Sequence, residues 1–155
     1  MGIVTRGLAE TNRKLDGLAN ASQVIAKTMP DVARNMRGEA VDAFDHQVDP
    51  WGEDWMPPTP RTLARRKERK NSEKALIDTA KLFDSAHVTS TPNTAAITFG
   101  EGIDDPRAEA NLKGHGKVPP RAFLPIKPDG TEAPPQAYLD RVFAPLVNAL
   151  KKVFS

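Results

Sequence analysis

The chain contains no cysteine. That excludes a disulfide framework, thiolate metal ligands and a cysteine nucleophile, and it fits synthesis in a reducing cytoplasm. Aromatic residues are few, at 6% of the sequence, so a thin, aliphatic core is expected. No run of about 18 apolar residues occurs, and no membrane span is expected. The N-terminus lacks the apolar centre of a signal peptide. An excess of one charge is missing too. Lys and Arg number 22 against 20 Asp and Glu, a net charge of +2, although the pI is near 9.0. So small an imbalance argues against a dedicated nucleic-acid binder.

Proline is what the chain has in excess. Fourteen of 155 residues are proline, gathered at 57–60, 119–128 and 134–135, nearly twice the average usage. This predicts helices separated by long, stiff connections. The length suits a single domain over 1–155, able to bury roughly two-thirds of its unfolded surface.

Hydrophobic spacing predicts N-terminal helices over 4–47. In the first, over 4–29, Leu8, Leu15, Leu18, Ser22, Ile25 and Met29 share one stripe. Gly17 and Asn20 weaken its middle, and Pro30 interrupts the ladder or opens the next helix. Over 31–47, Val32, Met36, Ala40 and Phe44 fall four apart on one face, a pattern for packing against another helix. "DPWGEDWMPPTP", 49–60, cannot be regular structure. Its Trp51 and Trp55 can anchor the loop on the body or anchor a partner.

Residues 59–100 read as a basic helix followed by a hairpin. Thr59 or Thr62 can cap a helix over 60–70, with Pro60 in its first turn. Arg61, Arg65, Arg66, Lys67, Arg69 and Lys70 make it the most basic stretch. It can touch nucleic-acid phosphates or simply present a solvated face, and no aromatics interleave for base stacking. Residues 73–86 suit a short helix or turn, and 87–100 a β-hairpin turning at Pro92 and Asn93. A short strand or helical turn is expected near 107–112. Residues 136–154 read as a C-terminal helix that Pro145 should kink or split. The order predicts an α+β fold, a small antiparallel sheet flanked by N-terminal helices and a C-terminal helix.

Catalytic constellations are not legible. His46, His87 and His115 have no metal-like spacing. Glu101, Asp104 and Asp105 cluster after the hairpin, where paired acid/base work would need a pocket. There is no phosphate-cradling glycine loop and no nucleophile elbow. No catalytic, metal or cofactor role is expected for this chain.

Four pieces, taken in order, resemble a known family: "FDHQVDPWGEDWMPP" at 44–58, "LIDTAKLFDSA" at 76–86, Gly100 at the hairpin's end, and "GHGKVPPRAFLPI" at 114–126. The order is similar to that of the tailed-phage virion morphogenesis family, the tail-completion or head–tail joining proteins with phage Mu and P2 members. Ala80 stands where that family often has Gly, and Ala122 where Pro is common. The Tyr usual before the His/Gly turn is missing from "RAEANLK", 107–113. The resemblance implies a structural role in the virion, at the neck or top of the tail, made in the host cytoplasm. It implies a hexameric ring of copies, with the genomic DNA passing through the lumen. Partners would be other neck and tail proteins: connector or stopper, and tail terminator or tube.

In that setting the proline strut at 118–128 has two readings. Pro119 and Pro120 stiffen an extended segment, and Arg121, Phe123 and Leu124 follow it. These three can lock the strut inside the monomer or contact a neighbouring subunit. Arg61, Arg65, Arg66 and Arg69 could face DNA in the lumen. Tight phosphate binding would hinder sliding DNA, so that contact is expected to be weak. Two other functions compete: a small nucleic-acid-binding module built on the basic helix 61–70, and a hydrolase using the acidic loop with His115.

Overall fold

The computed structural model describes residues 8–100, 106–127 and 133–154. Residues 4–7 of the expected first helix and the acidic cluster at Glu101, Asp104 and Asp105 lie outside them. The elements in order are helix α1 (Leu8–His46), helix α2 (Pro60–Glu68), helix α3 (Lys81–Asp84), strands β1 (Ala86–Thr91) and β2 (Thr94–Phe99), helix α4 (Pro106–Lys113) and helix α5 (Gln136–Phe154). This is the expected α+β arrangement: a two-stranded antiparallel sheet beside a long N-terminal helix and a C-terminal helix. No helix among the described residues is long and apolar enough to cross a membrane.

The expected break at Pro30 does not occur. One helix of 39 residues runs through it, about 58 Å long. A proline inside a helix costs about 3 kcal/mol and removes one backbone donor. Here packing offsets that cost, because Met29 and Val32 on either side are buried against Tyr138 and Val142 of α5. Thr28 also turns its hydroxyl back on the helix, donating to the carbonyl of Val24 at 2.9 Å. Gly17 is a contact rather than a breaker. A Cβ there would lie 3.2 Å from the Phe154 ring, so its bareness lets the end of α5 close on α1.

Pro145 does not end α5 either. Lacking N–H, it cannot bond the carbonyl of Arg141 four residues back. That carbonyl instead accepts from the Asn35 side chain of α1 at 3.0 Å. Arg141 then forks onto Glu39, with both nitrogen–oxygen distances at 2.6 Å. A proline defect in one helix is thus repaired by polar side chains of the other.

The hairpin lies against α1, with Ala86 paired to Phe99 at its root and Thr91 to Thr94 at its tip. Both root residues are buried. The core centre is aromatic, which corrects the aliphatic expectation. Phe44 of α1 meets Trp55 at 5.5 Å, Phe83 at 5.6 Å, Phe99 at 6.4 Å and Phe123 at 5.2 Å between ring centroids. Scarcity did not disperse the rings. Five of the chain's nine aromatics meet here, and tilted and edge-on pairs of this kind add to simple area burial.

Candidate functional site

The strut begins at a tight approach. Gly114 has φ +79, and a Cβ on it would lie 3.0 Å from the backbone nitrogen of Pro120. His115 and Val118 exchange both backbone hydrogen bonds, closing a small turn over Gly116 and Lys117. Pro119 and Pro120 then lead, outside any regular element, to Arg121. Arg121 donates its backbone N–H to the carbonyl of Asn111 at 2.8 Å, tying the strut to α4.

Arg121 to Leu124 are engaged within the chain. Arg121 is 7% exposed. Its Nε and Nη2 both donate to the Met56 carbonyl, at 2.9 and 2.8 Å. The Ala122 carbonyl accepts from Trp55 Nε1 at 3.1 Å. Phe123, 2% exposed, wedges between Phe44 and Phe99, 4.8 Å from the latter. Leu124 is half-buried against the same cluster. The strut therefore locks the tryptophan loop onto the aromatic centre. Of the residues considered for subunit contact, Trp55, Arg121 and Phe123 face inward and meet in this joint.

Trp51 is different. It is half-buried at the rim, and Lys127 Nζ sits 4.4 Å from its ring centroid, a cation–π contact. Asp49 holds its loop by accepting the backbone N–H groups of Trp51 and Glu53, each at 2.9 Å. Gln47 is a joint the sequence reading missed. With φ +60 it ends α1. Its amide oxygen accepts from the Ala75 N–H at 2.6 Å while its nitrogen donates to the Phe44 carbonyl at 2.6 Å. The only sequence sign of it was a polar residue directly after the apolar stripe.

Helix α2 is capped by Thr59, whose hydroxyl accepts from the Thr62 N–H at 3.3 Å, as the sequence suggested. None of its residues is buried. Arg61, Arg65 and Arg69 point to solvent, but Arg66 turns inward. Its Nη1 donates to the carbonyls of Lys74 at 2.7 Å and Ser72 at 3.3 Å. The four arginines do not form one patch.

Arg66 and Arg121 both line a cleft of about 420 Å³ between α2, the 75–82 segment and the strut. Burial first, and the nearby Arg66 charge second, pull Arg121 below the ordinary arginine value. Among the described residues no cluster of His, Asp and Glu could hold a metal ion. His46 Nδ1 is engaged with the carbonyl of Asp42 at 2.9 Å.

No curated protein and no solved structure matches the chain significantly. The sequence profile of the phage virion morphogenesis family matches residues 7–133. That span includes α1, the tryptophan loop, the hairpin and the whole proline strut, so the chain belongs to the phage virion morphogenesis family, with a structural or assembly role in the virion.

Proposed function

We propose that this chain is a non-catalytic component of the phage neck that completes the tail and joins it to the DNA-filled head. It acts there as a homo-oligomer, a hexameric ring with the genome passing through its lumen. Its other contacts are with connector or stopper proteins on one side and the tail terminator or tube on the other. The observation that carries this reading is the family match across 7–133. Surface chemistry supports it. Phe143 and Val147, one helical turn apart on α5, are 39% and 45% exposed, and Leu18 of α1 is 61% exposed. Unpartnered apolar side chains on a helix pair suit contact with a neighbouring copy. The test is electron microscopy of a lysate from phage carrying a stop codon in place of Trp51. Full heads beside separate tails are expected; joined, infectious particles would overturn the reading.

A second reading rests on the solvent-facing Arg61, Arg65 and Arg69 of α2: a nucleic-acid-binding module. It calls for DNA binding that weakens steeply with salt. Fluorescence anisotropy at two salt concentrations separates it from the first.

A further inference from the structure

The cleft beneath α2 is electrostatically incomplete. Arg66, Lys81, Lys117 and Arg121 line it, against the single carboxylate of Asp78. Asp78 is already engaged, accepting from Asn71 Nδ2 at 2.9 Å. It forms an ion pair with Arg66, 3.4 Å from Nε, but that buried nitrogen has no hydrogen-bond partner among the described residues. Arg121, unlike Arg66, pairs with no carboxylate among the described residues. Among the described residues its guanidinium is held only by a neutral carbonyl, that of Met56. Two buried or nearly buried cations on one wall repel each other and have lost much of their hydration, a costly arrangement unless an anion completes it.

We propose that this cleft is a receptor for a carboxylate side chain on an extended peptide of a partner protein. Arg66 and Arg121 form its floor, and Lys81 and Lys117 stand at its rim. Both guanidiniums are positioned before any ligand arrives, Arg66 by the carbonyls of Ser72 and Lys74, Arg121 by that of Met56. Arginine's planar fork suits a carboxylate better than a lysine ammonium does. The walls select the rest of the ligand. Pro58, Leu76, Leu82 and Pro119 line the cleft, so the residues flanking the carboxylate bury apolar surface. A nucleic-acid backbone carries no such apolar neighbours and needs an open, continuous basic track. The volume, about 420 Å³, falls in the roughly 300–1,000 Å³ range of specific ligand pockets. Because the isolated chain carries every one of these residues, the site does not depend on ring formation or on a place in the neck.

The test is an NMR titration of the full chain with the side-chain Nε–H signals of arginine labelled. The probes are acetyl-Ala-Leu-Glu-Leu-Ala-amide, its Gln counterpart and inorganic phosphate. The Glu peptide should shift the Arg66 and Arg121 signals and bind about tenfold or more tightly than the Gln peptide. The double variant Lys81→Glu, Lys117→Glu changes only exposed rim residues. It should weaken the Glu peptide by a similar factor while leaving the unfolding midpoint in place. Equal binding of the two peptides, or no shift of either arginine signal, would overturn the proposal. Phosphate matching or exceeding the Glu peptide would also overturn it and point to a phosphate backbone as the occupant.

Discussion

The aromatic centre and the α1/α5 pair bury apolar side chains in opposite ways. Around Phe44, rings arrive from the tryptophan loop, α3, β2 and the strut, and Phe44, Trp55, Phe99 and Phe123 are all buried. In the helix pair, Met29, Val32, Tyr138 and Val142 are closed inward, while Phe143, Val147 and Phe154 of α5 remain open to solvent. One region buries its central rings within the monomer. The other keeps part of its apolar surface exposed. Segments far apart in sequence have no helical ladder to hold them, so their side chains must close the cluster. A long helix pair holds its shape by backbone bonding and one buried seam, which leaves its other face available.

The sharpest way to break the first region is Phe123→Ala. It removes a ring buried between two others, and a loss of about 3–5 kcal/mol is expected, read as a lower urea midpoint. A cost near zero would mean that the strut is not integral to the monomer.

The next largest effect is at the seam of the helix pair. Burial, and secondarily the Glu39 charge, push the Tyr138 hydroxyl from its ordinary value near 10 up to about 12, with Arg141 acting the other way. The folded state thus favours the neutral phenol. Its contribution is complete below pH 10 and is lost as pH rises through 12, by up to about 3 kcal/mol. Urea titrations across that window should show this decline in the native chain, and Tyr138→Phe should flatten it.

Asn35→Leu probes the repair of Pro145. It leaves the Arg141 carbonyl without its partner on α1 and should cost about 1 kcal/mol. The effect should vanish in a background where Pro145 is replaced by Ala, since the helix then satisfies that carbonyl itself. A double-mutant cycle by chemical denaturation reads this coupling.

A smaller change of opposite sign is expected at Ala80, which sits at φ +57, ψ −4. Only glycine adopts that region without a steric penalty, and Ala80→Gly should stabilise the chain by about 0.5–1 kcal/mol in thermal unfolding. This gives a physical reason for the glycine that the family often carries there.

The sequence made the local elements legible where a signal was local. Thr59 before Pro60, the Pro92–Asn93 turn and the apolar stripe of 136–154 each fixed an element near its observed bounds. The breaks that Pro30 and Pro145 suggested do not occur, because groups that compensate for them lie on the other helix, more than a hundred residues away. The aromatic centre was hidden for the same reason. Nothing in the sequence pairs Phe44 with Phe123, although they are neighbours in space. For the candidate site, the basic character of 61–70 was plain, but the inward turn of Arg66 is set by the carbonyls of Ser72 and Lys74. That depends on how the following loop folds back, which spacing does not encode.

The most direct test of the proposal that the exposed apolar face of α5 serves assembly is the double variant Phe143→Gln, Val147→Gln. Glutamine keeps helix propensity, and the two side chains are 39% and 45% exposed, so unfolding should shift by no more than about 1–2 kcal/mol, well below the loss at Phe123. The same variant, supplied to phage that lack the chain, should leave full heads and tails unjoined. A stable variant that restores joined, infectious particles would contradict the account.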